Sequence, residues 1–171
     1  MDELNKIPTR NGLLGPSKTR GIALIAVFAG AYTVATISLG TISYGVLNLR
    51  LTNIIIGVVP ILGLPSAVGL SFGVFFANIF SPLGPIDLLS SFFALAGLVA
   101  VYFLRNRSVA AGLGIHSVVI GIWVTFELSL VTGLPFFPLF YAVWAGNVIV
   151  DALAYFFYKA LAASGLKKRL M

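Results

Sequence analysis

The residues able to do chemistry in this chain are few, and they sit in or beside long apolar runs. Trp144, Asn147 and Asp151 are spaced by three and four residues, so one face of a helix carries all three. His116, Ile120, Trp123 and Glu127 repeat that spacing in the preceding apolar run. Each face places an aromatic about one helical turn from a carboxylate. The pair suits a flat ligand whose ring stacks on the indole and whose N–H donors meet the carboxylate. Interface-belt packing is the structural alternative for the tryptophans, and interhelical hydrogen bonding for Asn147 and Asp151. Three carboxylates, Asp87, Glu127 and Asp151, exceed what such packing requires in lipid. Asp87 follows Pro85 and suits a helix N-terminus, where it is expected to act as a cap. Arg50 and Asn53 precede and open another apolar run, and Asn78 closes a third.

Other chemistries are not supported. His116 is the single histidine, and its own helix offers no carboxylate one turn away, so it reads as a packed, hydrogen-bonded residue rather than a proton relay. No metal-ligand spacing, Ser–His or His–Glu pairing, or phosphate-binding glycine loop is present. There are no cysteines. The expectation is a non-enzymatic protein without a cofactor, unable by itself to couple to ATP.

The elements holding these residues are membrane helices. Of 171 residues, 59% are hydrophobic and 9% charged, with a mean hydropathy of +1.04. Soluble domains carry about 25% charged residues, so a soluble fold is excluded, and disorder with it. Hydropathy and Gly/Pro breaks divide the chain into six segments: Arg20–Leu39, Leu51–Leu62, Pro65–Phe80, Ile86–Leu104, Val109–Thr132 and Phe136–Ala163. The second and third are short, and a helix started at Pro65 is preferred over one long kinked helix. Residues 1–19 and 164–171 are polar tails flanking one transmembrane unit over 20–163. The net charge is +6. Ten Lys and Arg side chains (Lys6, Arg10, Lys18, Arg20, Arg105, Arg107, Lys159, Lys167, Lys168, Arg169) fall on one side of a six-span arrangement, and only Arg50 on the other. The positive-inside rule then places both termini in the cytoplasm and explains the basic charge without nucleic acid. On this topology the polar groups in the spans crowd toward the outer half.

The first segment is uncharged after Arg20 and contains Ala26 and Gly30, a small-xxx-small pair that permits close helix approach. Ala31 and Ala35, and Gly69, Gly73 and Ala77 in the third segment, repeat the pattern, so the pattern alone does not choose a partner.

Ile42-Ser43-Tyr44-Gly45, Asn48-Leu49-Arg50-Leu51, Pro60, Phe76-Ala77-Asn78-Ile79-Phe80-Ser81, Gly84 and Asp87, then Ala145-Gly146-Asn147 and Tyr158-Lys159-Ala160-Leu161, together resemble the QueT family. That family belongs to the substrate-binding S components of energy-coupling factor (ECF) transporters. The resemblance covers nearly all of the chain after residue 20. It implies a membrane subunit that captures a queuosine precursor, a 7-deazaguanine, from outside. It further implies docking to a transmembrane coupling protein and two ATPases, through a small-residue motif that Ala26 and Gly30 match best. Tyr44 and the loop from Gly45 to Arg50 are expected to form a lid, with a stacking face on Tyr44. Helical spacing and the resemblance together gather a candidate site of Tyr44, Arg50, Asn53, Asn78, Asp87, Trp123, Glu127, Trp144, Asn147 and Asp151. Two positions depart from the family pattern, where Asn53 and Asn147 stand in place of carboxylates. Those amides favour a neutral deazapurine, or another flat nitrogen heterocycle, over a cationic aminomethyl compound. Arg50 is also suited to face an anionic group. A self-sufficient small-molecule transporter is the competing reading, although no internal repeat supports alternating access. A membrane enzyme or structural partner comes third.

Overall fold

The computed structural model describes residues 18–43 and 50–164. Those residues form helices joined by short turns, with no strand among them. Helix α1 spans Lys18–Ser38, and a short α2 spans Gly40–Ser43. A 3₁₀ segment over Leu51–Val58 runs directly into α3, Val59–Leu62. Helix α4 is Leu64–Asn78. A second 3₁₀ turn, Pro85–Leu89, leads into α5, Ser90–Leu104. Helices α6, Val109–Thr132, and α7, Phe136–Ala163, complete the bundle.

The breaks follow local chemistry. Ser108 caps α6 by accepting the Ala111 N–H at 3.2 Å, and Gly133 ends it in the left-handed region at φ 72°. Gly63 stands at φ 79° between α3 and α4, with Pro65 at the start of the new helix. The chain thus breaks here into two helices, as the Pro65 reading expects.

Four helical stretches are long and apolar enough to cross a membrane: Lys18–Ser38, Pro85–Leu104, Val109–Thr132 and Phe136–Ala163. Leu51–Leu62 and Leu64–Asn78 are apolar but shorter. The outward surface is apolar, with Phe103 73%, Phe137 72% and Phe92 67% exposed. Such a surface is stable against hydrocarbon and not against water.

Close contacts fix the directions. On α4, a Cβ at Gly69 would lie 2.7 Å from the Ile25 carbonyl oxygen, and one at Gly73 would lie 2.6 Å from Tyr32 Cβ. Helices α1 and α4 therefore pack backbone to backbone through glycine, and run parallel. Gly97 of α5 faces His116 of α6, and Gly121 of α6 faces Trp144 of α7, so α5, α6 and α7 alternate in direction. Gly57 of the 3₁₀ segment lies against the Ala154 carbonyl of α7. These contacts gather Gly21, Pro65, Tyr102 and Tyr158 toward one end. Lys18, Arg20, Arg105, Arg107 and Lys159 stand at that end, and Arg50 at the opposite one.

Candidate functional site

The 3₁₀ segment begins the site. With three residues per turn it eclipses side chains three apart. Arg50, Asn53 and Ile56 consequently project along one line, and all three line a central cavity. An α-helix would have fanned them apart by about 60° per step. The sequence predicts only a short apolar helix here, because hydropathy does not separate the two helix types. Tyr32 of α1 fixes the segment's position by donating its hydroxyl to Asn53 Oδ1 at 2.7 Å. Thr36 and Thr52 pair at 2.9 Å beside it.

Asp87 organises the outer part of the polar network. It is fully buried, and Arg50 Nη2 lies 3.3 Å from its carboxylate. Asn78 Nδ2 donates to Oδ1 at 2.8 Å and to the Asp87 carbonyl at 2.7 Å. Ser90, three residues on and brought over Asp87 by the 3₁₀ turn, donates to Oδ1 at 2.7 Å. Asp87 does stand in the first turn of the Pro85–Leu89 segment, where its charge suits a helix N-terminus, and its side chain further ties that segment to Arg50, α4 and α5. A buried carboxylate survives in this setting because several donors satisfy it.

Ser90 joins a second carboxylate to the network. Glu127 Oε2 lies 2.9 Å from the Ser90 hydroxyl, and Trp123 Nε1 donates to Ser90 Oγ at 2.9 Å. The hydroxyl has one proton, so it serves Asp87 or Glu127 but not both at once. Trp123 is stacked on Phe93 at 4.0 Å between ring centroids. Its indole thus has one face covered and its N–H committed.

A third carboxylate acts deeper in the bundle. Asp151 Oδ2 lies 2.9 Å from His116 Nδ1, both groups buried. His116 is thus the packed, hydrogen-bonded residue expected from the sequence, and its partner comes from α7. His116 and Asp151 stand 18 residues before and 17 after Leu134 of the turn, so an antiparallel hairpin brings them level. That symmetry was the available signal.

The cavity is lined on its polar side by Tyr32, Arg50, Asn53, Ser90, His116 and Asn147. Apolar walls come from α4, α5 and α6. The void measures about 20 Å³, room for roughly one water. Of the residues singled out in the sequence, Arg50, Asn53 and Asn147 line it. Asn78, Asp87 and Glu127 stand behind the wall and hold Ser90 and Arg50. Asp151 stands behind His116. Trp144 packs over Gly121 and is stacked with Phe140, 6.1 Å away. Tyr44 lies outside the described residues. Tyr32, Ser90 and His116 line the cavity without having been singled out for it. Among the described residues no carboxylate lines the cavity, and no group of three or more His, Cys, Asp or Glu is placed to hold a metal.

Ala26 and Gly30 point away from all of this. Both are exposed on α1, and a Cβ on Gly30 would meet nothing within 4 Å. The inward face of α1 is Ala29, Tyr32 and Thr36 instead.

An apolar helical bundle with four helices long enough to cross a membrane marks a multi-pass membrane protein. Residues 22–163 match the family described as QueT transporter, and the chain belongs to that family. Its role is accordingly transport rather than catalysis. No curated protein and no solved structure matches the chain.

Proposed function

We propose that the protein is the substrate-capture S subunit of an ECF-type importer, taking up a neutral queuosine precursor of the 7-deazaguanine class. In this reading the chain crosses six times, the Lys and Arg distribution favours cytoplasmic termini, and the Arg50 end of the cavity opens to the outside. The exposed Ala26 and Gly30 face docks a transmembrane coupling protein, and two partner ATPases supply the energy. The chain itself needs no cofactor. Membership of the family supports the transport role. The observation that carries the substrate class is the polar lining: one guanidinium, two amides, hydroxyls and an imidazole, with every described carboxylate set behind them. That lining hydrogen-bonds a neutral heterocycle on several edges and offers an ammonium group no counter-charge. A bicyclic base exceeds the void as it stands, so capture requires the walls to part.

Calorimetry with a 7-deazaguanine panel tests this reading. The neutral 7-cyano compound is expected to bind at least about tenfold more tightly than the cationic 7-aminomethyl compound, because one unpaired buried charge costs more than one hydrogen bond. Equal or reversed preference would contradict the neutral-ligand assignment.

Reporter fusions test the topology separately. A reporter active only in the cytoplasm should be active after Met171 and inactive when inserted at residue 48. The opposite pattern would invert the proposed direction of capture, since the ten-to-one charge distribution predicts this orientation.

A further inference from the structure

Two polar groups on the cavity, the Asn147 amide and His116 Nε2, have no hydrogen-bond partner among the described residues. Asn147 is 6% exposed, lines the void and makes no side-chain hydrogen bond with the described residues. His116 is 2% exposed and also lines the void, and its one hydrogen bond goes from Nδ1 to Asp151. Buried polar groups normally find partners, and the exceptions call for a physical reason.

The imidazole is held on two sides. Asp151 fixes Nδ1 from α7, while Gly97 of α5 leaves the ring its space: a Cβ there would fall 2.7 Å from His116 Cδ2. An ionised Asp151 only accepts, and with it Nδ1 carries the proton in this pair. The neutral ring then has a bare Nε2, an acceptor. The same logic sets the tautomer of metal-binding histidines through the carboxylate behind them. Among the described residues no other His, Asp or Glu lines the cavity, and no group of three or more His, Cys, Asp or Glu is placed to hold a metal.

We propose that His116 is a specificity-determining residue: its Nε2 accepts an N–H of the ligand at the deep end of the cavity, beside Asn147. Asp151 is the positioning residue that selects the accepting tautomer. The ligand edge that fits presents a ring or exocyclic N–H toward His116, with a neighbouring donor or acceptor for the Asn147 amide. Such an edge belongs to aminopyrimidine-fused heterocycles, and this assignment rests on the substrate class proposed above.

The single histidine makes the test direct. Untagged protein labelled with ¹⁵N-histidine gives one pair of ring-nitrogen signals in detergent. Without ligand, the spectrum should show a protonated Nδ1 and a bare Nε2. Adding the 7-cyano-7-deazaguanine probe should shift Nε2 strongly upfield and leave Nδ1 nearly unmoved. His116→Phe should weaken binding of the probe about tenfold or more, and His116→Gln, whose amide oxygen still accepts, should recover part of that loss. Should His116→Phe fail to fold, the spectra of the parent protein decide alone. A ligand-free spectrum with the proton on Nε2, or a bound probe that leaves Nε2 unshifted, overturns the proposal. If no deazaguanine binds the parent protein, the substrate class falls; a ligand-free Nδ1–H tautomer would still uphold the positioned acceptor, and the reverse tautomer would overturn it.

Discussion

Replacing Asp87 with alanine should destabilise the protein by about 3–5 kcal/mol, the cost of leaving a buried cation without its counter-charge. The guanidinium of Arg50 is 6% exposed and 3.3 Å from the Asp87 carboxylate. Asn78 and Ser90 lose an acceptor at the same time, since both donate to Oδ1. The effect should reach beyond stability. Arg50 lines the cavity, so its release should also weaken ligand binding. Asp87→Asn keeps an acceptor oxygen and the side-chain shape, and should cost less than alanine. A double substitution, Arg50→Met with Asp87→Leu, should recover much of the stability but not the binding, because apolar groups replace both charges. Thermal unfolding in one detergent, across the parent and these variants, measures the first effect, and calorimetry the second. An Asp87→Ala protein as stable as the parent would show that the network is not the brace described above.

Replacing Gly30 with leucine, or Ala26 with tryptophan, should abolish transport while leaving ligand binding and thermal stability near the parent values. The outward space at Gly30 accepts a side chain freely, so the bundle is not strained. A partner helix would be kept from close approach, and small residues matter most at such contacts. Gly73→Leu is the internal contrast. Its Cβ would collide with Tyr32, so the substitution should destabilise the bundle by about 1–3 kcal/mol or more and disturb Asn53 through the Tyr32 hydroxyl. Co-purification with the coupling protein and ATPases, alongside binding assays, separates the two classes. Loss of ligand binding in Gly30→Leu would place that residue in the bundle's own packing.

How far the sequence reached depends on the range of each interaction. The bounds of α6 and α7 were legible because Arg105-Asn106-Arg107, Gly133-Leu134-Pro135 and the flanking hydropathy are local signals. The break at Gly63 was legible for the same reason. The 3₁₀ geometry of Leu51–Val58 was not, since apolar composition is indifferent to three or 3.6 residues per turn. Small-residue spacing marked both α1 and α4 but could not say which stripe faces inward; the contact of Gly73 with Tyr32 does. Helical spacing placed Asn147 and Asp151 on one face, which the structure keeps, both being buried. It could not assign their partners. His116 and Asp151 are 35 residues apart, and Arg50 and Asp87 are 37 apart, so both pairs exist only once the helices are packed. The carboxylates looked like ligand contacts because their types suited the chemistry. In the folded chain each has an oxygen on a neighbouring protein group, and Arg50, Ser90 and His116, held in this way, line the cavity.

The capture role is tested most directly by the small molecule that accompanies the protein from the cell. Purified in mild detergent from cells making queuosine precursors, the protein should release one equivalent of a neutral 7-deazaguanine, identified by mass spectrometry. The His116→Phe protein should release much less. A parent protein that carries a cationic or non-heterocyclic metabolite in its place would contradict the account.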